Sequence, residues 1–230
     1  RHTLPLHTPH STRLEQPGAQ LMVPLANFWD RYGKIVLGVS AGLVVVGVIG
    51  FFSLRSRSAA EEAAAGKLAE ASLYYWQGDY QRSLALARET AEQYGSTPSG
   101  RDAHRQMADA SYWGGDFKTA AAEYRRYLAG NASGLLADAA RRSLAYALES
   151  DQQHLEAVKE YDALVGRFDR GSSSEFLVAA ARCLQAANQT PDAVQRLQRV
   201  VDEFGETEYA NQARIALAEL GAAQSSTPKP

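Results

Sequence analysis

Two aligned stretches decide the fold: ASLYYWQGDYQRSLALA at residues 71–87 and ADASYWGGDFKTAAAEY at residues 108–124. Each carries apolar residues at three- and four-residue spacing on both sides of a Gly-Asp turn, which predicts a helix, a tight turn and a second helix. A small residue recurs at the same place in the second helix, with spacings of 37, 37 and 36 residues: Ser83, Ala120, Ala157 and Ala193. A period in this range is typical of an α-solenoid, in which each helix pair buries its apolar face against the next.

Helical periodicity runs through nearly all of the chain after residue 58, and no stretch shows sustained β alternation. Short runs rich in Gly, Ser, Asp and Pro separate nine predicted helices: Ala59–Gln77, Tyr80–Tyr94, Ser99–Trp113, Phe117–Leu128, Leu135–Leu148, Leu155–Phe168, Glu175–Ala187, Asp192–Phe204 and Glu206–Leu220. One such run is residues 171–174, directly before the seventh helix. The predicted fold is all-α, with a solenoid of about four helix pairs and a capping helix over residues 59–221.

A second feature is the uncharged segment from Ile35 to Leu54, IVLGVSAGLVVVGVIGFFSL. Its twenty residues would form a helix about 30 Å long, which matches the hydrocarbon core of a bilayer. The alternative is a cleaved signal peptide, whose apolar region is usually about 7–15 residues long. Because this segment is longer and begins only after 34 residues, we predict a single membrane-spanning helix within residues 24–58.

Aromatic and basic residues flank the apolar segment, as expected at the headgroup level of a bilayer. The predicted membrane-interface residues are Phe28, Trp29, Tyr32 and Lys34. Within the segment, Gly38 and Gly42 form a G-x-x-x-G pair that would let another helix approach closely. The alternative is that glycine is simply common in membrane helices. Basic residues lie on both sides of the span in similar number, so charge does not fix its orientation.

The two ends of the sequence are polar. Residues 1–23 contain several prolines and little apolar character, so we expect an extended tail there, and residues 222–230 are expected to form a flexible tail. His2, His7 and His10 in the first tail offer metal-ligating nitrogens. A mobile tail without a metal is the favoured interpretation, because a zinc site needs fixed geometry and usually four ligands.

The composition excludes several classes of function. The 24 basic and 26 acidic residues give a formal net charge of −2, whereas a nucleic-acid-binding protein normally carries a basic excess. Cys183 is the only cysteine, so one chain cannot form a disulfide, an iron–sulfur site or a cysteine zinc cluster.

The sequence contains no motif of an enzyme: it lacks a P-loop, a G-x-G-x-x-G stretch, an H-E-x-x-H stretch and a nucleophile elbow. His104 and His154 lie in different predicted helix pairs, and packing at a turn explains His154. A general base needs a positioned partner, and none is indicated for either residue. We therefore expect a protein without catalytic activity, cofactor, metal or small-molecule substrate.

The small residues, the Gly-Asp-Tyr turn and the aromatic position after it resemble the tetratricopeptide repeat. In the first helix of each pair the small residue stands at Ala71, Ala108, Ala145 and Ala181. The resemblance covers about residues 60–221, although the period exceeds the usual length of about 34 and a proline after the second helix is present only near Pro98. It implies four repeats whose first helices line a concave face.

The resemblance also implies a partner-binding groove on that face. Transferring the repeat positions puts a set of aromatic and basic residues there: Tyr75, Trp76, Arg105, Tyr112, Trp113, Arg142 and Tyr146. Trp, Tyr and Arg are the residue types that dominate protein–protein hot spots. The alternative is that these aromatics fill the junction between the two helices of a repeat, and it applies most to Trp76 and Trp113 beside their turns.

The stretch FWDRYGK at residues 28–34, followed by the span and the repeats, is similar to bacterial inner-membrane proteins that associate with the secretory translocon. That resemblance implies a cytoplasmic N-terminus, a single pass and a periplasmic solenoid. The predicted function is a scaffold, an accessory subunit that stabilises a larger integral-membrane complex in the lipid bilayer. The resemblance suggests the translocon as host, and respiratory or photosynthetic assemblies are the other candidates. The alternative function is a chaperone-like module that holds unfolded secreted chains.

Overall fold

The computed structural model describes residues 19–130 and 133–226, and the side chains of residues 28–130 and 133–221. Within these residues it contains nine α-helices and no strand, which confirms the all-α prediction. The helices are α1 Ala19–Trp76, α2 Tyr80–Tyr94, α3 Pro98–Trp113, α4 Phe117–Gly130, α5 Leu135–Ser150, α6 His154–Leu164, α7 Arg170–Ala186, α8 Thr190–Glu203 and α9 Glu208–Ser226. Four successive pairs, from α1 with α2 to α7 with α8, form the repeats, and α9 packs on the last pair.

The chain divides into two compact units, Arg1–Ser56 and Arg57–Pro230. The sequence predicts separate helices before and after residue 58, whereas α1 continues through both units as one helix. The physical reason is composition, because residues 55–76 are rich in alanine and contain no proline. Nothing ends the helix until Gly78, whose positive φ of 81° reverses the chain.

Helices α6, α7 and α9 depart from their predicted bounds. α6 ends at residue 164 rather than 168, and α7 begins at residue 170 rather than 175. Residues 171–174 therefore lie inside α7 and do not separate two helices. α9 begins at residue 208 rather than 206 and continues to residue 226, beyond the predicted end at residue 220.

Serine chemistry explains the early start of α7. The Asp169 carboxylate caps the helix by accepting a hydrogen bond from the backbone N–H of Ser172 at 2.7 Å. The hydroxyls of Ser173 and Ser174 donate to backbone carbonyls of the preceding turn, at 2.9 and 2.7 Å. Because their polar groups are satisfied in this way, both serines are tolerated in a buried turn of a helix.

All four repeats use the same turn between their two helices. One residue of each turn has a positive φ, of 81°, 84°, 61° and 59° in chain order: Gly78, Gly115, Gln152 and Asn188. The next residue donates its N–H to the carbonyl five positions back, as Asp79 does to Tyr74 at 3.0 Å. This is the Schellman pattern at a helix C-terminus, for which glycine is the preferred residue. The Gly-Asp pairs read from the sequence are therefore two members of a set of four.

The recurring small residues lie where helices approach most closely. The small residues of the first helices are at most 1% exposed, and those of the second helices are 0% exposed: Ala71, Ala108, Ala145 and Ala181, then Ser83, Ala120, Ala157 and Ala193. The larger core side chains fill the spaces between these contacts, with Tyr161 and Phe176 fully buried. Their rings stack with centroids 6.3 Å apart, which joins the third repeat to the fourth.

Candidate partner-binding groove

Six of the seven residues predicted for the groove line one open cavity of about 330 Å³. We call this cavity the aromatic groove, and its lining residues are Tyr75, Trp76, Arg105, Asp109, Tyr112, Trp113, Tyr124, Ser143 and Tyr146. They come from the ends of α1 and α3, from α4 and from α5. The seventh predicted residue, Arg142, does not line the cavity.

The tryptophans and tyrosines of the groove occupy different environments. Trp76 is 82% exposed and Trp113 is 60% exposed, so both indoles lie on the surface and not in the junction between helices. The half-buried tyrosines fill that junction instead. The Tyr75 ring packs on Tyr80 with centroids 5.7 Å apart, and the Tyr112 ring packs on Phe117 at 5.4 Å. Each of the first two repeats thus places one aromatic side chain under the turn and presents the next one to solvent.

Each tyrosine–tryptophan pair is arranged edge to face. The interplanar angle is 78° for Tyr75 with Trp76 and 87° for Tyr112 with Trp113. The two pairs line the same cavity on both sides of the repeat boundary. Burial raises the pKa of Tyr75. The aromatic surface therefore continues from the first repeat to the second.

A polar cluster lies beside the aromatic rings. The Asp109 carboxylate accepts a hydrogen bond from the Tyr124 hydroxyl at 2.5 Å and another from Arg105 Nη1 at 3.0 Å. Burial raises the pKa of Asp109 despite both partners. The acid is thus held by the protein's own donors.

Arg142 connects the third repeat to the fourth. Its Nε donates to the Tyr146 hydroxyl at 2.8 Å, and that hydroxyl donates to Glu175 Oε1 at 2.7 Å. Burial raises the pKa of Tyr146 to about 12, and the hydrogen bond to Glu175 acts in the same direction. Arg142 also lies over the Phe176 ring at 5.9 Å. Its guanidinium is held in place beside the groove by these contacts.

The tyrosine–tryptophan pairs occur in the first two repeats and not in the third or fourth. At the positions equivalent to its Tyr–Trp pairs, the third repeat has Glu149 and Ser150, and the fourth has Gln185 and Ala186. Glu149 accepts hydrogen bonds from Arg182 at 2.6 and 2.9 Å and from the Tyr161 hydroxyl at 2.6 Å. A polar network thus replaces the aromatic pairs in the second half of the solenoid.

Sequence reasoning missed three lining residues, namely Asp109, Tyr124 and Ser143. Asp109 follows Arg105 by four residues on a predicted helix, and this spacing is a signal for an ion pair on one helix face. Tyr124 follows the small residue Ala120 by four positions on the predicted second helix, and nothing in the sequence pairs its hydroxyl with an acid fifteen residues earlier.

The residues predicted for the membrane interface are exposed on α1. Exposed fractions are 52% for Phe28, 54% for Trp29 and 42% for Tyr32, and Lys34 is exposed as well. Part of the stretch Phe28–Trp76 reaches a mean hydropathy of 2.6, and none of that part is buried. It has the length and composition of a membrane span or a signal sequence.

The glycines predicted for helix packing are open as well. A Cβ atom added at Gly38 or Gly42 would meet no described atom within 4 Å outside the local helix backbone. The same holds at Gly47 and Gly50, farther along the helix. A helix could therefore approach α1 closely at Gly38 and Gly42, and equally at Gly47 and Gly50.

The histidines provide no site in the described part of the chain. His104 Nδ1 lies 2.7 Å from Glu123 Oε2, and Glu123 also accepts a hydrogen bond from Arg126 at 2.6 Å. His154 Nδ1 is buried without a hydrogen-bond partner among the described residues. No group of three potential metal ligands occurs in residues 19–130 and 133–226, while His2, His7 and His10 lie outside them.

Solved structures similar to this chain carry tetratricopeptide-type repeats. A protein of Podosopora anserina, with nearly identical TPR-like repeats of the kinesin light chain type, has a TM-score of 0.56 and 20% identity over 72% of this chain and 88% of its own. The MamA RS-1 ArsTM double mutant has a TM-score of 0.51 and 15% identity, over 71% of this chain and 97% of its own. BtubC (BKLC) from P. vanneervenii has a TM-score of 0.50 and 13% identity, over 73% of this chain and 66% of its own. At these identities the likeness concerns the fold alone.

Family comparison adds to this structural likeness. No curated protein matches the chain. The tetratricopeptide repeat-like domain matches residues 26–175, and a tetratricopeptide repeat matches residues 175–207. The first match covers more than half of the chain, and it includes the apolar segment as well as all the residues that line the aromatic groove. With the repeated turns and the buried small residues already described, these matches lead to one conclusion: the chain belongs to the tetratricopeptide repeat-like family.

Proposed function

We propose that the protein is a non-catalytic scaffold anchored in the bacterial inner membrane, an accessory subunit that stabilises a larger integral-membrane complex. One observation carries the proposal, namely the exposure of Trp76 and Trp113 at the rim of the aromatic groove. Two exposed indoles beside half-buried tyrosines and an arginine have the composition of a protein–protein hot spot. A folded protein seldom leaves such a surface uncovered unless it binds a partner.

The apolar part of α1 supports the membrane anchor. Its side chains are exposed, and removing them from water requires either lipid or other apolar helices. Phe28, Trp29, Tyr32 and Lys34 would lie at the headgroup level, and Gly38 with Gly42 would contact a helix of the host complex. By resemblance, the solenoid would be periplasmic and the host would be the translocon, with respiratory and photosynthetic complexes as the other candidates.

A scaffold role also fits the chemistry of the groove. Asp109 is held by Tyr124 and Arg105, and the Tyr146 hydroxyl is held by Arg142 and Glu175. None of these groups is positioned as a general base for a bound substrate. The tetratricopeptide fold is typically a non-catalytic interaction module, and the proposed role needs no cofactor.

The second candidate function is a chaperone-like module that holds unfolded secreted chains. The open aromatic groove favours it, because exposed aromatic side chains can contact many different apolar segments. The two functions differ in stoichiometry, since an accessory subunit remains in a fixed ratio with its host whereas a chaperone releases its clients.

The test is purification of the tagged full-length chain from membranes in mild detergent. We expect integral-membrane proteins in a fixed ratio that survives dilution, and loss of them in the Trp76→Ala, Trp113→Ala double variant. The matched control is Leu135→Ala, Leu136→Ala, which removes two exposed apolar side chains outside the aromatic groove. Variable, dilution-sensitive recovery of many secreted chains would favour the chaperone, and recovery of no partner would contradict both functions.

A further inference from the structure

We infer that the aromatic groove binds an extended, uncharged, proline-containing segment of the partner protein. The inference rests on the proposed function, in which the groove is a partner-binding surface, and it specifies the chemistry of the segment that enters. Three features of the groove support it: its hydrogen-bonding groups, the repeat of its aromatic pairs and its balanced charge.

Trp76 supplies a hydrogen-bond donor at the rim of the groove. Trp76 has an indole N–H, which can only donate, and it has no hydrogen-bond partner among the described residues. The one carboxylate of the groove, Asp109, already accepts hydrogen bonds from Tyr124 and Arg105. A polyproline II segment has the complementary chemistry, since its carbonyls make no internal hydrogen bonds and its prolines have no N–H.

The aromatic pairs repeat at an interval that suits such a segment. α1 and α3 are neighbours, joined by the hydrogen bond from Ser72 Oγ to Gln106 Oε1 at 3.0 Å. Packed helices lie roughly 8–10 Å apart, so the pairs Tyr75–Trp76 and Tyr112–Trp113 recur at about that distance. A polyproline II helix advances about 9 Å in each three-residue turn. Proline rings on one side of the segment would therefore meet successive aromatic pairs.

The charges beside the groove are balanced, so a charged segment gains little there. Arg105 is paired with Asp109 at 3.0 Å, and Arg142 lies 3.7 Å from Glu175. Neither arginine is free to attract an acidic peptide, and neither acid is free to attract a basic one. A preformed proline-containing segment also loses little conformational entropy on binding, which suits a shallow groove of about 330 Å³.

The experiment measures fluorescence anisotropy of a labelled oligoproline peptide and of a glycine–serine peptide of equal length. Both are titrated with the full-length chain in lipid nanodiscs. We expect binding of the oligoproline only, weakened about tenfold or more by Trp76→Ala, as for an aromatic hot spot. Trp76→Phe retains the ring and removes the N–H, so it should weaken binding less than Trp76→Ala. Trp29→Ala is the control, because Trp29 is also an exposed tryptophan, at 54%, and lies outside the groove.

Every result of the peptide titrations either supports or overturns the inference. Equal binding of both peptides, or oligoproline binding unaffected by Trp76→Ala, overturns the inference. Absence of oligoproline binding also overturns it, but the proposed function stands if Trp76→Ala with Trp113→Ala still abolishes co-purification of the membrane complex. Trp76 is 82% exposed, so its substitutions should leave the helical circular dichroism unchanged and a loss of binding can be assigned to the groove.

Discussion

The Glu61 carboxylate of α1 accepts two hydrogen bonds from Ser99 at the start of α3, one from the backbone N–H at 3.1 Å and one from the hydroxyl at 2.7 Å. The first N–H groups of a helix have no partner within it, and they carry a partial positive charge. Glu61 supplies both an acceptor and a negative charge, and the hydrogen bonds from Ser99 lower the pKa of its carboxyl. The first solenoid turns of α1 therefore cap the first helix of the next repeat.

We expect Glu61→Gln to lower the melting temperature at neutral pH, with a loss of about 0.5 kcal/mol because solvent screens this partly exposed contact. The pKa of Glu61 is lowered from 4.5 in the folded protein, so its stabilising effect is complete above that value. It disappears as the pH falls through the lower, folded-state pKa. Thermal unfolding followed by circular dichroism should therefore show a difference between wild type and variant that is present at neutral pH and shrinks in acid.

The matched control for this prediction is Glu62→Gln, which removes the same charge from the next, exposed residue of α1. It should leave the melting temperature nearly unchanged. If the two variants unfold alike at neutral pH, the hydrogen bonds from Ser99 do not stabilise the solenoid.

The tyrosines and tryptophans of the groove should separate stability from binding. Tyr112 packs against the core and against Phe117, so Tyr112→Ala should destabilise the solenoid by about 2 kcal/mol, less than the loss of a fully buried aromatic. Trp76→Ala removes an 82% exposed side chain and should change stability by less than about 0.5 kcal/mol. Urea unfolding measures both changes in stability, and co-purification measures the loss of partner binding that we expect for Trp76→Ala. A destabilised Trp76→Ala variant would show that the indole has a structural role.

Gln152→Gly should stabilise the protein by about 0.5–1 kcal/mol. Gln152 has a φ of 61°, a conformation that is unfavourable for a side chain with a Cβ, and the equivalent residues of the first two repeats are Gly78 and Gly115. The control is Gln153→Gly, because Gln153 has a φ of −80° and gains nothing from glycine. Thermal unfolding should move the two variants in opposite directions, and a destabilised Gln152→Gly would mean that its side chain makes a compensating contact.

The period, the small residues and the first two turns could be predicted from the sequence because each depends on local spacing. The start of α7 could not, because Ser173 and Ser174 are ordinary turn residues until their hydroxyls find carbonyls within the helix. The separate environments of Tyr112 and Trp113 could not be predicted from the sequence either. Adjacent residues of a helix point about 100° apart, and the turn lies next to both. Only the packing of Tyr112 on Phe117 decides which ring fills the junction.

The contact proposed for the membrane helix involves Gly38 and Gly42. Gly38→Leu with Gly42→Leu keeps the segment apolar and long enough to insert, and a Cβ atom at either position meets no described atom within 4 Å outside the local helix backbone. Folding should be unaffected, whereas close approach of a host helix should be blocked and the host should be lost from detergent-purified material. Gly47→Leu with Gly50→Leu is the matched control, because these glycines are equally open and lie farther along the same helix. If both double variants retain the host at the wild-type ratio, the glycines do not form the contact. If both lose it, bulk anywhere on the helix is excluded and the first pair has no special role.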